Sequence, residues 1–234
     1  MRQQLRSQTS VGRRQFLQSG IPGLVAGIAV PALLNVSTAP RLKAQTDLSP
    51  EAAMRELLAG NERFAANRLT SIEHDLAILK EKTVEKQEPF AAVLACADSR
   101  VPIELVFDQT IGHIFVTRVA GNIATPEIIA SVEYGVAVLG IKALLVLGHS
   151  NCGAVKAAIK ADAVPGQISV LYPPLRPAVE KSGPDAGKAI AANAQIQAEL
   201  LRTSSTVMSK AVKEGKLKIE SAVYDLATGK VTGV

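Results

Sequence analysis

The first 44 residues contain no aspartate or glutamate, although they contain five arginines and one lysine. The whole chain of 234 residues has 26 basic and 21 acidic side chains and a formal net charge of +5. Without those six basic residues, 20 bases face 21 acids, so the remainder has a net charge of −1. A near-neutral remainder gives no electrostatic reason to expect a nucleic acid or an anionic membrane as a partner.

The chain also lacks an apolar run of the roughly 20 residues that cross a membrane. The apolar residues 21–34 form a shorter run, which follows the pair Arg13-Arg14 and the dipeptide Phe16-Leu17. This order is typical of a secretory signal, and the paired arginines resemble the twin-arginine signal. We therefore predict that residues 1–44 are an export signal, removed after Ala44. The mature protein would be periplasmic or otherwise exported, with no stable membrane span; an uncleaved N-terminal anchor is the alternative.

Residues 45–234 are enough for one domain with a full core, because 47% of the chain is hydrophobic. Short continuous apolar runs at 90–95, 114–116 and 143–147 are typical of strands buried on both faces. They alternate with helical patterns, which predicts an α/β fold with a mainly parallel sheet flanked by helices. A further strand is predicted at 217–224, and helices are predicted at 49–66, 72–83, 126–139, 152–160 and 187–212.

Two stretches are predicted to be irregular. Residues 35–48 are polar and aperiodic and are interpreted as a linker. Residues 164–186 contain five prolines and are interpreted as a surface excursion. A turn is predicted at Thr228-Gly229, after the last strand.

Cysteine is scarce, since Cys96 and Cys152 are the only two. One disulfide is therefore possible, and export would permit it, so a disulfide-bonded, non-catalytic protein of the cell envelope is one hypothesis. A second hypothesis follows from His149, three residues before Cys152. Two thiolates and an imidazole are a ligand set of catalytic zinc sites that keep an open fourth position.

The predicted strands favour the metal hypothesis. Cys96 directly follows the run 90–95, and His149 follows the run 143–147. Open α/β sheets place their sites at the carboxyl ends of parallel strands. Cys152 begins the next predicted helix, where the helix dipole favours a thiolate. We therefore predict that Cys96, His149 and Cys152 bind one Zn²⁺.

Asp98 and Arg100 stand beside the first predicted ligand. They are interpretable as an ordinary surface ion pair, which contributes about 0–1 kcal/mol. Beside a metal, Arg100 would instead hold Asp98 ionised, and Asp98 would accept a hydrogen bond from water at the metal. His74 and His113 are predicted to be structural or surface residues, because their spacing completes no ligand set.

Several motifs, in this order and spacing, resemble those of the β-class carbonic anhydrases. They are Cys-Ala-Asp-Ser-Arg at 96–100, the stretch 107–122 with its Phe-Val-Thr-Arg-Val-Ala-Gly-Asn core, Glu133-Tyr134, and Leu-Gly-His-Ser-Asn-Cys-Gly-Ala at 147–154. The resemblance runs from Ser49 to the end of the chain. It implies a zinc enzyme that is a homodimer or a higher even oligomer, with an N-terminal helical arm packed on the dimer partner. It also implies that Cys96, His149 and Cys152 are the zinc ligands and that Asp98 and Arg100 are the catalytic dyad.

The same resemblance implies a substrate pocket at the dimer interface. Gln87, Phe115, Tyr134 and Gly153 fall on its positions, and Ala120 replaces a commoner valine. One branch of the family closes its zinc with the aspartate and holds bicarbonate near a tryptophan. Because this chain has no tryptophan and has Gln87, it resembles the open branch. Asp98 would be a metal ligand only in a closed form.

The resemblance implies one reaction, the reversible hydration of carbon dioxide to bicarbonate and a proton. Carbon dioxide and bicarbonate are then the small-molecule partners. Hydrolysis of carbonyl sulfide or carbon disulfide is the alternative, because the same attack on a central carbon would serve and the zinc ligands do not distinguish these substrates.

Overall fold

A computed structural model describes residues 46–71 and 76–234, and within these residues the centre of the fold is a five-stranded sheet. The strands are β1 (Ala91–Ala95), β2 (Ile114–Arg118), β3 (Ala143–His149), β4 (Lys218–Tyr224) and β5 (Val231–Gly233). Their order in the sheet is β2-β1-β3-β4-β5. The first four are parallel, and β5 runs antiparallel along β4. The prediction of a mainly parallel sheet is confirmed.

Helices cover both faces of this sheet. Alternate residues of β1 point to opposite faces, as the pleat of a strand requires. Ala91 and Val93 pack with helices on one face, and Ala92 and Leu94 pack with helices on the other. The helices are α1 (Pro50–Ala65), α2 (Leu76–Thr83), α3 (Ile103–Val106), α4 (Pro126–Ala137), α5 (Gly153–Lys160), α6 (Tyr172–Ser182), α7 (Ala186–Ser204) and α8 (Thr206–Lys213). The first face is covered by α1 and α3, and the second by α4, α7 and α8.

The first helix begins where the sequence predicts it. The side chain of Ser49 accepts a hydrogen bond from the backbone N–H of Ala52 at 3.2 Å, which caps α1. Ala53, Met54 and Leu57 are buried and pack on the core of their own chain. Packing of an N-terminal arm on a dimer partner stays a prediction.

One predicted helix is divided, and one predicted surface excursion contains helices that the sequence did not indicate. The single helix expected at 187–212 is divided at Ser205, whose backbone is extended. The hydroxyl of Ser205 accepts from the N–H of Met208 at 3.1 Å and donates to Glu133 at 2.6 Å, so it begins α8 as an N-cap. The supposed excursion 164–186 contains a 3-10 helix (Ile168–Leu171) and α6. Pro173 and Pro174 stand in the first turn of α6, where the missing N–H has no partner to lose, whereas Pro177 lies inside the helix.

Some predictions fall outside the described residues. These are the export signal and its cleavage site, residues 72–75 of the helix expected at 72–83, and His74. Among the residues that the structure describes, no helix has the length and apolar character of a membrane span.

Candidate metal centre

Three elements bring the predicted ligands to one point at the carboxyl edge of the sheet. Cys96 directly follows β1, His149 is the last residue of β3, and Cys152 is the N-cap residue of α5. The strands β1 and β3 are neighbours, with Ala95 paired to Leu147. One ligand atom from each of the three side chains lies within 4.8 Å of the others. The sheet therefore joins two parts of the sequence that are more than fifty residues apart.

Both cysteines are free thiols in a buried site. Cys96 is 5% exposed, Cys152 1% and His149 0%. The two Sγ atoms are 4.0 Å apart, about twice the length of an S–S bond. The disulfide hypothesis therefore does not describe this structure.

The imidazole of His149 is oriented for a metal. Its Nδ1 lies 2.9 Å from the carbonyl oxygen of Ser150 and must donate to it, because that oxygen can only accept. Nδ1 therefore carries a proton, and Nε2 is the ring nitrogen left to bind a metal. Nε2 is buried and has no hydrogen-bond partner. An orphaned buried nitrogen is costly, so its place beside two thiols fits a metal ion as the missing partner.

The surroundings of the two thiols favour the binding of a cation. The contact between the two sulfurs, together with the N–H groups of Gly121 and Asp98, lowers the pKa of Cys96. The same contact, burial and the charge on Cys96 raise the pKa of Cys152. Because the thiolate is the form that binds a metal, a bound cation would displace any proton left on the pair. Two sulfurs and one nitrogen are the donor set that suits Zn²⁺.

Asp98 and Arg100 form a bidentate ion pair at the rim of this cluster. Nε of Arg100 donates to Oδ1 at 2.9 Å, Nη2 donates to Oδ2 at 2.7 Å, and the backbone N–H of Arg100 adds a third bond to Oδ1 at 2.9 Å. The Arg100 guanidinium therefore holds the pKa of Asp98 well below its usual range. Oδ2 of Asp98 is 3.8 Å from Nε2 of His149, so the ionised carboxylate faces the ligand atoms.

Sequence reasoning missed three residues that support the ligands. Arg118, at the end of β2, donates through Nε to the carbonyl of Cys96 at 2.9 Å and through Nη2 to the carbonyl of Asp98. Gly121 donates its N–H to Sγ of Cys96 at 3.3 Å. Ser150 orients His149, and its own hydroxyl accepts from the N–H of Leu226 at 2.9 Å. The motif around 115–122 contained the first two, but nothing in it indicated these contacts.

The predicted substrate residues do not all meet at the metal cluster. Gln87 and Tyr134 line one cavity of about 350 Å³, and the rings of Phe115 and Tyr134 are 6.3 Å apart between centroids. This cavity lies beyond the amino end of β1, whereas Cys96 lies beyond its carboxyl end. The five residues of β1 alone span about 16 Å. Within one chain, Gln87 is therefore separated from the ligands by the length of a strand.

The two remaining predicted residues, Gly153 and His113, lie outside the cavity that Gln87 and Tyr134 line. Gly153 directly follows Cys152 and lines a second cavity of about 240 Å³, where an added Cβ would meet no atom within 4 Å. His113 is exposed, and its Nδ1 lies 3.3 Å from the hydroxyl of Thr110. The ligand cluster of the described residues contains His149 and not His113, as the sequence predicts.

A family model described as carbonic anhydrase matches residues 91–231, which is more than half of the chain. The chain belongs to the carbonic anhydrase family. Carbonic anhydrase 2 of Mycobacterium tuberculosis is 33% identical over 200 residues, which cover 78% of this chain and 91% of the relative. The carbonic anhydrase of Pseudomonas aeruginosa is 33% identical over 194 residues, which cover 76% and 86%.

Solved structures agree on the class. The Coccomyxa β-carbonic anhydrase in complex with acetazolamide superposes with a TM-score of 0.62 at 28% identity, over 76% of this chain and 84% of that chain. The predicted family, the activity of carbon dioxide hydration and the zinc cofactor are confirmed by these matches. The likeness extends over the sheet that positions the ligand cluster.

Proposed function

We propose that this carbonic anhydrase holds Zn²⁺ on Cys96, His149 and Cys152 and uses it to interconvert carbon dioxide and bicarbonate. The observation that carries the assignment is the buried Nε2 of His149, which has no hydrogen-bond partner. It belongs to the same cluster as two free thiols, with ligand atoms within 4.8 Å of one another. Bound zinc would supply the Lewis acidity that brings the pKa of a coordinated water to about 7.

Asp98 and Arg100 are assigned the role of accepting a hydrogen bond from the attacking water. The carboxylate stays ionised because Arg100 holds both of its oxygens. It can therefore accept a hydrogen bond from water throughout the neutral pH range and aim the oxygen lone pair at the substrate carbon. Asp98 stands outside the ligand group, and its oxygens are engaged by Arg100. This supports the open form of the site, with the closed form requiring Asp98 to leave Arg100.

Gln87, Phe115 and Tyr134 are assigned to a substrate pocket that a second copy of the chain completes. Their distance from the ligands of their own chain, together with a half-open cavity, supports a homodimer or a higher even oligomer. In the described part of the chain β2 is an edge strand, whose main-chain groups are open to pairing. Near the cavity, Tyr134 is 48% exposed and Val84 74%, which is costly unless a partner covers them.

In such an assembly the carboxamide of Gln87 would donate to an oxygen of the substrate as charge develops. The aromatic rings of Phe115 and Tyr134 would provide the apolar wall for carbon dioxide. Gly153, which leaves open space beside Cys152, would keep the approach to the cluster clear. Each predicted residue thus has its own assigned role, which a single substitution can test.

The experiment that tests the proposed function combines metal analysis with stopped-flow hydration of carbon dioxide by the purified protein. We expect about one zinc per chain and rapid hydration that a chelator abolishes. The same preparation is assayed with carbonyl sulfide and carbon disulfide. Faster hydrolysis of either sulfur compound, or a zinc-loaded protein without hydration, would contradict the proposal.

Export through the twin-arginine route is proposed for the segment 1–44. Its support is the pair Arg13-Arg14 before a short apolar run, with no acidic residue. Replacing both arginines with lysine keeps the charge and should retain the protein in the cytoplasm, as cell fractionation would measure. Unchanged export of the double variant would indicate another pathway.

A further inference from the structure

A tight turn contacts the sulfur of Cys96 through a backbone N–H. The carbonyl of Val119 accepts from the N–H of Asn122 at 2.9 Å, which closes the turn. Gly121 occupies its third position with φ +79°, a conformation that favours glycine. From there its N–H points to Sγ of Cys96 at 3.3 Å. The direction of this hydrogen bond depends on how the turn is held.

Two buried carboxamides on α7 hold the turn. Nδ2 of Asn193 donates to the carbonyl of Gly121 at 2.9 Å, and Oε1 of Gln197 accepts from the N–H of Ala124 at 2.9 Å. Nε2 of Gln197 also donates to Oδ1 of Asn193 at 3.1 Å, so the two side chains act as one unit. Asn193 is 0% exposed and Gln197 1%. They stand four residues apart, on one face of the helix.

The network pairs main-chain groups that would otherwise lack partners. Burying two carboxamides is costly unless every group is paired, and here they bind the carbonyls of Gly121 and Pro174 and the N–H of Ala124. One end of the network is the turn that contacts Cys96, and the other is the carbonyl of Pro174 in α6, to which Nε2 of Gln197 donates at 3.2 Å. Its contacts to the main chain at Gly121 and Ala124 fix the turn at two points, between which the polypeptide has little freedom.

We propose that Asn193 and Gln197 are positioning residues of the metal centre, which hold the Gly121 N–H on the Cys96 thiolate. The inference rests on the proposed function of Cys96 as a zinc ligand. A hydrogen bond to a thiolate withdraws charge from the sulfur and fixes the direction of its lone pairs. Loss of the network should therefore loosen the zinc site and change the sulfur–metal bond, without removing any ligand.

The test replaces Asn193 with leucine, which has a similar volume and no polar group. The rate of zinc transfer from the holoenzyme to a chromogenic chelator should rise about 10- to 100-fold. In the cobalt-substituted protein, the sulfur-to-cobalt charge-transfer band should shift. The matched control is Asn61→Leu, because Asn61 is another buried asparagine, 4% exposed, and bonds Val106, Gly229 and Val231. Asn61→Leu should lower the melting temperature and leave the zinc transfer rate and the cobalt spectrum unchanged.

Equal effects of the two variants on zinc transfer would overturn the proposal, because they would reduce it to general stability. An unchanged cobalt spectrum in Asn193→Leu would do the same. Asn193→Ser, which leaves room for a water molecule beside the Gly121 carbonyl, serves if the leucine variant does not fold, and it should show a smaller change in the same direction. Failure of the ligand assignment itself is distinguishable, since the unmutated protein would then lack stoichiometric zinc.

Discussion

The two edges of the sheet differ in how much of a site each one completes. At the carboxyl edge, Cys96, His149 and Cys152 are at most 5% exposed, and supporting hydrogen bonds hold two of them. At the amino edge, Gln87 is exposed and Tyr134 is 48% exposed, beside a half-open cavity. A site that one chain completes is buried and preorganised, whereas in the proposed assembly a second copy would exclude water from the open surface.

Loss of a ligand should have the largest effect, and it should affect the carboxyl edge alone. Cys152→Ser and His149→Ala should each lose most of the zinc and with it the hydration activity, because two ligands hold the ion poorly. The measurement is metal content after gel filtration, followed by the hydration assay. His113→Ala is the matched control and should retain its zinc. Full zinc content in either ligand variant would contradict the assignment.

Loss of the dyad should be the next largest effect. Asp98→Ala and Arg100→Ala should each reduce kcat for hydration by about 10²- to 10⁴-fold, because the proton of the attacking water loses its acceptor. Zinc content should stay unchanged in both. The double variant should be little worse than either single one, because residues that act as a unit are not additive.

The control for the dyad is an exposed ion pair that belongs to neither site. Lys216 and Glu214 are exposed and 2.6 Å apart, so Lys216→Ala should change the activity little. If the effects of Asp98→Ala and Arg100→Ala multiply in the double variant, the two residues contribute independently and the dyad interpretation is wrong.

Replacing Asp108 should have the smallest effect on activity and act mainly on stability. Asp108 supports the segment that precedes Gln87 in the sequence. Its buried carboxylate accepts from Arg63 and from the N–H groups of Thr70 and Ser71. Burial would raise the pKa of Asp108, but these donors outweigh it and hold the pKa well below its usual range. Asp108→Asn should lower the free energy of unfolding at pH 7 by about 3 kcal/mol, because Arg63 loses its buried charge partner and keeps only Glu56, at 3.8 Å.

The direction in which Asp108 stabilises the fold can be tested by varying the pH. The folded-state pKa of Asp108 lies below the unfolded value of about 3.9. Its contribution is therefore fully present above about pH 5 and is lost as the pH falls below that value towards the folded-state pKa. Urea unfolding of both proteins from pH 7 to pH 3 should show the difference shrinking with acid. A difference that is constant over this range would contradict the ionic role of Asp108.

The carboxyl edge could be predicted from the sequence because its chemistry is rare and local. Cys96 and His149 follow continuous apolar runs, and parallel strands deliver such residues to one edge. With two cysteines in the chain, few other ligand sets were possible. The alternation of strands and helices gave the parallel sheet by the same reasoning.

The supporting contacts could not be predicted, because they depend on tertiary geometry. Arg118 and Asn193 act on main-chain carbonyls, which leave no pattern in the sequence. Ser205 divides a continuous helical pattern because Glu133, 72 residues earlier, accepts its hydroxyl. In the proposed dimer, the position of Gln87 relative to the partner's metal ligands depends on how two chains pack, which one sequence does not specify.

The most direct test of the two-edge account is a mixed dimer. One chain has Cys152→Ser and an intact Gln87, and the other has Gln87→Ala and intact ligands; each homodimer should be weak, the second by about 100-fold in kcat through loss of a hydrogen-bond donor. If Gln87 serves the zinc of its partner, the purified mixed dimer contains one complete site, and its hydration rate per bound zinc should approach that of the unmutated enzyme. If Gln87 serves its own chain, neither site is complete, and a rate no higher than that of the Gln87→Ala homodimer would contradict the account.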